Sequence, residues 1–300
     1  MTRAFLFGGQ GTELPRMGLD LAAHVPVAAT LLRRAGELAG VDATSVLTQG
    51  GPDFARTRVI QPLLTAVGLG AYLALAEAGV SPAFAAGHSL GELAAWAAAG
   101  ALTVEAAIEL AAARGAAMER EATQHPGGML AIVGCNETKV DELVLLGRRA
   151  GSVVVAAHNA PGEWTLAGDA PALTAIAART AVTRLPVAGA WHSPAMAGAV
   201  DDVLHAARAR LTANRTADVV GNRTGELVAR EADVAELLAG QLVRPVQWAR
   251  TLATLDAAGV RDYVVLGPSK LLRSLVLKNV GARARVVVVE TFEDVLQASR

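Results

Sequence analysis

The chain has 300 residues, enough for one large domain or two ordinary ones with a sizeable core. Lys+Arg 27 against Asp+Glu 28 leaves a net charge of −1, which argues against general binding to nucleic acid or anionic membranes, since both need a basic excess. With 52% apolar and 18% charged residues this is not a disordered chain, and its single cysteine, Cys135, excludes an internal disulfide and any multi-cysteine metal site, which suits a cytoplasmic location.

The start, Met1 to Phe5, carries one positive charge and runs into a glycine cluster, so no signal-peptide apolar region is expected. Ala4-Phe5-Leu6-Phe7 reads as a short strand ending in the loop Gly8-Gly9-Gln10-Gly11, and residues 19–39 read as helical. The longest uncharged stretch, Val59 to Ala76, reaches the length of a short membrane span. It contains Gln61, Pro62, Thr65, two glycines and four alanines, and a buried helix opened by Pro62 in its first turn explains it better. Ala83 to Ala86 is a short buried strand that feeds Gly87-His88-Ser89-Leu90-Gly91 and a helix to about Ala99. Glu105 in the first turn favours a further helix over 104–122. Strands alternating with helices mean an α/β core around a mainly parallel sheet.

The texture changes near His125-Pro126-Gly127-Gly128. Strands at 130–133, 153–155, 164–167 and 183–185, with helices near 137–149 and 171–180, give the order βαββαβ of a ferredoxin-like unit. The expected organisation is a discontinuous large domain, 1–126 and 194–300, with a small domain inserted at 127–193. Beyond Pro194 the reading is a helix over 196–212, another over 232–242, a strand at 263–266, a helix near 269–279 and a last strand, 285–289.

Gly87-His88-Ser89-Leu90-Gly91 matches G-x-S-x-G. Between a strand and a helix, its glycines permit a sharp turn that projects the serine oxygen at a helix N-terminus, where free amides can hold an oxyanion. A serine nucleophile needs a base. Of six histidines, His24 and His205 lie in helical stretches and His125 in a Pro-Gly turn, which suits surface or packing roles. His88 neighbours the nucleophile, and His158 has no evident partner. His192, where the small domain returns to the large one, is the base on position alone. No histidine pair has metal-ligand spacing, so no metal is expected.

Arg114 has apolar neighbours at every position one helical turn away: Leu110, Ala111, Ala117 and Met118. Its partner must then come from elsewhere in the fold or from a ligand, and a carboxylate suits the planar fork. The other reading is a stem that packs while the head reaches water. Both stay open on spacing alone.

With Ser89, His192 and Arg114 identified, the chain resembles malonyl-CoA:acyl carrier protein transacylases and the acyltransferase domains of polyketide synthases over nearly its whole length. Phe7-Gly8-Gly9-Gln10-Gly11-Thr12-Glu13 is similar to the family's F-P-G-Q-G-S-Q, with three positions replaced. Residues 87–92 are its G-H-S-L-G-E unchanged, and Arg114-Gly115 falls 25 residues beyond the serine, where the family keeps a carboxylate-binding arginine. Asn159-Ala160-Pro161-Gly162 resembles N-x-P-G-Q, with Glu163 for the glutamine. Residues 241–248 resemble Q-L-x-x-P-V-Q-W, and Gly267-Pro268-Ser269-Lys270 resembles G-P-G-K.

The resemblance implies an α/β-hydrolase-like large domain and ping-pong transfer of malonyl from malonyl-CoA, through acyl-Ser89, to the phosphopantetheine thiol of an acyl carrier protein. It implies His192 as base, the amides of Gln10 and Leu90 as oxyanion hole, Gln241 as the residue orienting His192, and Arg114 as the carboxylate site. His88, Asn159 and Trp191 are expected in the substrate pocket, with no bound cofactor and a monomeric state. Gly189-Ala190-Trp191-His192 is neither the H-A-F-H common with malonyl nor the Y-A-S-H common with methylmalonyl. A bulky Trp191 would crowd an α-substituent, which favours malonyl. Rival readings are a trans-acting hydrolase of acyl carrier proteins, an acyltransferase for another extender unit, an ordinary esterase and a catalytically dead scaffold. Arg114 argues against the first, and the early position of His192 against the esterase.

Overall fold

The computed structural model describes residues 2–300, so Met1, with which the reading of the leader began, lies outside them. Strand β1 (Arg3–Phe7) leads through the glycine loop into α1 (Leu19–His24) and α2 (Pro26–Ala39), where one helix over 19–39 is expected. The break falls at Val25, extended at φ −120° and ψ 103° as a residue before proline prefers, and Pro26 then opens α2. Two unforeseen short helices follow, α3 (Ala43–Gln49) and α4 (Pro52–Ala55). Then α5 (Thr57–Glu77) begins earlier than Pro62 suggests, so the proline sits inside the helix rather than in its first turn. Burial of Thr57, Val59 and Ile60 outweighs the one backbone bond that the proline forfeits near the helix start. This helix is long and apolar enough to cross a membrane, yet 83% of its apolar window is buried inside the protein.

Next come β2 (Phe84–Gly87), α6 (Gly91–Ala98) and α7 (Val104–Gln124). The Thr103 hydroxyl caps α7 by accepting from the Ala106 amide at 3.0 Å. A second unit follows in the order β3 (Gly128–Val133), α8 (Glu137–Arg148), β4 (Val153–Ala160), β5 (Glu163–Gly168), α9 (Ala170–Ala177) and β6 (Thr183–Arg184). Its antiparallel sheet, ordered β4-β5-β3-β6, closes on its own core of Leu130, Ile132, Val140, Leu143, Leu166 and Leu173.

The chain then returns with a 3₁₀ turn over Pro194–Ala199 and α10 (Val200–Arg208), which together replace the single helix expected over 196–212. After β7 (Asp218–Val219) come α11 (Val234–Gly240), a 3₁₀ turn over Gln241–Val243, α12 (Trp248–Ala257), β8 (Asp262–Leu266), α13 (Lys270–Val280), β9 (Arg285–Val289) and α14 (Phe292–Ala298). The strand β7 and the helices α12 and α14 are absent from the sequence reading.

Five strands form a parallel sheet ordered β7-β2-β1-β8-β9. The chain moves from β1 to β2 on one side and later to β8 on the other, so β1 is a switch point, and a ligand crevice is expected beyond its C-terminal end. There Phe7 stands in register with Gly87 on one side and Leu266 on the other. Strand β4 is tied to the large unit by a parallel bridge between Ala157 and Val246, the latter in the segment before α12, whose neighbouring amides and carbonyls bond at 2.9 Å.

Candidate active site

The turn after β2 is compressed. A Cβ on Gly91 would collide with the Phe7 carbonyl, and one on Gly87 with the carbonyl of Gly91, so only glycine lets the helix start this close to the strand. Ser89 is left with φ 51°, a left-handed conformation that strains an L residue. Its amide donates to Asn222 Oδ1 at 2.7 Å, while Asn222 Nδ2 donates to the Gly87 carbonyl at 2.6 Å. Asn222 thus pins the turn from the far side.

His192 also has a positive φ, 58°. Its Nε2 lies 2.7 Å from Ser89 Oγ and its Nδ1 2.9 Å from the Gln241 carbonyl. A carbonyl only accepts, so Nδ1 carries the hydrogen and the Nε2 lone pair faces the hydroxyl. Burial, reinforced by the charge of Arg114, brings the imidazole pKa down to about 3. His192 is therefore neutral at physiological pH and ready to take a proton.

Arg114 is 2% exposed, so its head does not reach water as one sequence reading allows. Nη1 donates to Gln61 Oε1 at 2.8 Å, and Nη2 to Gln241 Oε1 at 2.9 Å and to Ser89 Oγ at 3.2 Å. All these partners are uncharged, and among the described residues Arg114 forms no salt bridge. Burial brings its pKa down to about 10, with Glu92 acting in the opposite sense, so the cation persists at neutral pH. A second chain of bonds runs from Gln61 Nε2 to Thr57 Oγ1 and from that hydroxyl to Gln10 Oε1, at 2.9 and 2.7 Å. It ties the guanidinium to the first glycine loop. The backbone amides of Gln10 and Leu90 have no acceptor among the described residues.

These groups open into one cavity of about 330 Å³, walled by the glycine loop, by β3–β5 of the small unit and by α13. Trp191, Met118, Met129, Leu185 and Val187 form an apolar part of the wall. His88 Nε2 donates to Asn159 Oδ1 at 2.8 Å, with the ring edge-on to Trp248. Asn159, also on the wall, holds Thr165 through its side chain and α13 through Asn279. A hydroxyl activated by a neutral imidazole, with a buried cation alongside, can attack an acyl carbon whose acyl group ends in an anion.

Residues 4–277 match the family described as acyl transferase domain. The chain is 35% identical to malonyl CoA-acyl carrier protein transacylase of Mycolicibacterium smegmatis, over 87% of this chain and 93% of that one. The chain belongs to this acyltransferase family. The structure of the malonyl-CoA:acyl carrier protein transacylase from Xanthomonas oryzae superposes with a TM-score of 0.90 at 31% identity, covering 99% of this chain and 98% of the other. The malonyl-transacylase in a complex with its type II polyketide synthase acyl-carrier protein superposes with a TM-score of 0.90 at 26% identity, covering 99% of each chain.

Within this acyltransferase the other histidines stand apart from the cavity. His24 stacks on Phe292 at 5.1 Å and donates to the Asp20 carbonyl. His205 bonds the Asp201 carbonyl, and His125 ends α7. His158, without a partner in the sequence reading, lies in β4 and stacks on Trp164 at 3.8 Å. Sequence reasoning missed Glu92, Asn222, Thr57 and the role of Gln61. Glu92 carried a signal, since it is the one charge in a helix of otherwise apolar residues, Gly91 to Ala98. Asn222 carried none.

Proposed function

We propose that this chain moves malonyl from malonyl-CoA to the phosphopantetheine thiol of an acyl carrier protein, with Ser89 as nucleophile and His192 as base. The observation that carries the reading is the contact of one half-buried hydroxyl with both a neutral imidazole and a buried guanidinium whose direct partners are all uncharged, at 2.7 and 3.2 Å. His192 Nε2 takes the Ser89 proton as Oγ attacks the thioester carbon, and the amides of Gln10 and Leu90 receive the oxyanion. The tetrahedral adduct expels CoA thiolate, which takes the proton from His192. In the second half the carrier thiol gives its proton to His192 and attacks the acyl-serine, and Ser89 Oγ leaves with that proton. The Gln241 carbonyl keeps the imidazole in its working tautomer throughout.

Arg114 holds the malonyl carboxylate. Plain acyl chains leave the buried cation unanswered, which sets specificity. Trp191 leaves little room for an α-substituent, so malonyl is preferred to methylmalonyl. No resident cofactor is needed for these steps. The partner is a carrier protein, as it is for the polyketide-synthase transacylase that shares the fold. We read residues 127–193 as an inserted unit, the protein as monomeric and its place as the cytoplasm.

Intact-mass spectrometry after incubation with malonyl-, methylmalonyl- and acetyl-CoA tests the reading. Malonyl should add to Ser89 fastest, Ser89→Ala should remove the adduct, and holo carrier protein should discharge it. Persistent labelling in Ser89→Ala, or release of free malonate faster than transfer, would reject it.

A further inference from the structure

We propose that Glu92 is a positioning residue that sets nucleophile, base and carboxylate-binding cation through two hydrogen-bonded arms. Glu92 is 1% exposed on α6, one turn beyond Ser89, and touches none of the reacting atoms. In one arm its Oε2 accepts from Gln241 Nε2. The same Gln241 receives Arg114 Nη2 on its side-chain oxygen and His192 Nδ1 on its backbone carbonyl. In the other arm Glu92 Oε1 accepts from the Asn222 amide at 3.2 Å, and Asn222 receives the Ser89 amide.

The geometry makes Glu92 the selector of the Gln241 orientation. A carboxamide has one accepting end and one donating end, and a carboxylate can only meet the donating end. With Nε2 held toward Glu92, the Gln241 oxygen has to face the guanidinium. Turned the other way, that amide would set N–H groups against the N–H groups of Arg114. Each arm ends on a carboxylate oxygen, so a carboxamide at position 92 can satisfy one arm and must set its own N–H₂ against the donor of the other. Buried donors facing donors lose the bond and keep the desolvation penalty. Burial pushes the Glu92 carboxyl up to about 7, while both converging donors and the nearby Arg114 draw it back toward the anion. Acylation rates are therefore read at about pH 8, where the carboxylate that both arms need predominates.

The inference rests on the reading that Arg114 takes the substrate carboxylate, and the two are separated by comparing malonyl with acetyl. Rates of Ser89 acylation are measured with malonyl-CoA and acetyl-CoA on the wild type, Glu92→Gln and Glu92→Asp, with thermal melts alongside. A wild type without preference for malonyl defeats the underlying reading. Given that preference, Glu92→Gln should slow malonyl acylation at least tenfold and cut the malonyl-to-acetyl ratio at least tenfold. Glu92→Asp keeps the two acceptors but withdraws them by one methylene, and should cut the ratio three- to tenfold. A carboxyl needed only for packing would lower the reactive fraction in step with unfolding and leave the ratio alone. A ratio within twofold of wild type in either folded variant overturns the proposal, and so does failure of both variants to fold.

Discussion

At Arg114 the fold carries a cation whose partners, Gln61, Gln241 and Ser89, are all neutral. Carboxamides solvate a guanidinium without cancelling its charge, and the positive potential stays available to a ligand. Deleting a charge-assisted, bidentate interaction from a buried site costs about 3–4 kcal/mol, or 10²–10³ in rate. Arg114→Ala should therefore slow Ser89 acylation by malonyl-CoA by that factor, with acetyl-CoA affected far less; equal losses for both donors would refute the assignment. The cation was legible because helical spacing surrounded it with apolar residues. Its carboxamide partners lie 53 and 127 positions away, and no local pattern announces them.

Two other buried groups set opposing pH dependences. His192 is held at about 3 against an ordinary 6.5, so between those values the unfolded chain binds a proton that the folded chain does not, and this contribution to stability rises with pH. Glu92 is pushed up to about 7 from 4.5, so over that range the folded chain holds the extra proton and the contribution falls with pH. Between pH 4.5 and 6.5 the two oppose, each with a slope of about 1.4 kcal/mol per pH unit. Denaturant unfolding from about pH 5 to 6 should show His192→Ala tilting the stability line downward with rising pH and Glu92→Gln tilting it upward. Parallel lines for the two variants would contradict the sign argument.

Among elements, β2 and α6 show how a strand and a helix are fused around one residue. The Gly91 Cα faces the Phe7 carbonyl of the central strand, which cannot retreat without breaking register with β2 and β8. Gly91→Ala should lower stability by about 2–3 kcal/mol, whereas Thr103→Ala, which removes only the α7 cap, should cost about 1 kcal/mol. Chemical denaturation of both variants checks the order, and a milder effect at Gly91 would show that the turn has slack. The alternation of strand and helix up to this point was readable because apolar runs were bounded by glycine. The two-residue β7 was too short for any period. The helix α14 did carry a signal: Thr291 and Asp294 form a capping box, with aspartate where glutamate or glutamine is the usual partner. Residues 241–248 drew notice as a motif, and the helix α12 that begins at Trp248 was overlooked behind it.

For the whole molecule, what matters is that the cavity has walls from both units. Besides the Ala157–Val246 bridge, Asn279 on α13 donates to the Asn159 carbonyl at 2.9 Å, and Lys278 pairs with Glu163 at the cavity wall. Glu163 stands where the family has glutamine, and the fold answers its charge with a lysine from the opposite unit. That lysine is half-exposed, so Lys278→Ala should cost no more than about 1 kcal/mol, a melting shift of about 2 °C. A larger drop in a thermal melt would mean that the pair carries the contact between units. The two-unit layout was visible from the βαββαβ order, while the stitches between units depend on contacts 89 to 120 residues apart.

The side chains proposed as nucleophile and base hang from backbone that disfavours them, Ser89 at φ 51° and His192 at φ 58°. A glycine would relax either position, so Ser89→Gly should melt higher than the parent, by up to about 1 kcal/mol, while losing all chemistry. A sturdier backbone and the proposed turnover therefore ask for different residues at these two positions, and relaxing either one would trade chemistry for stability.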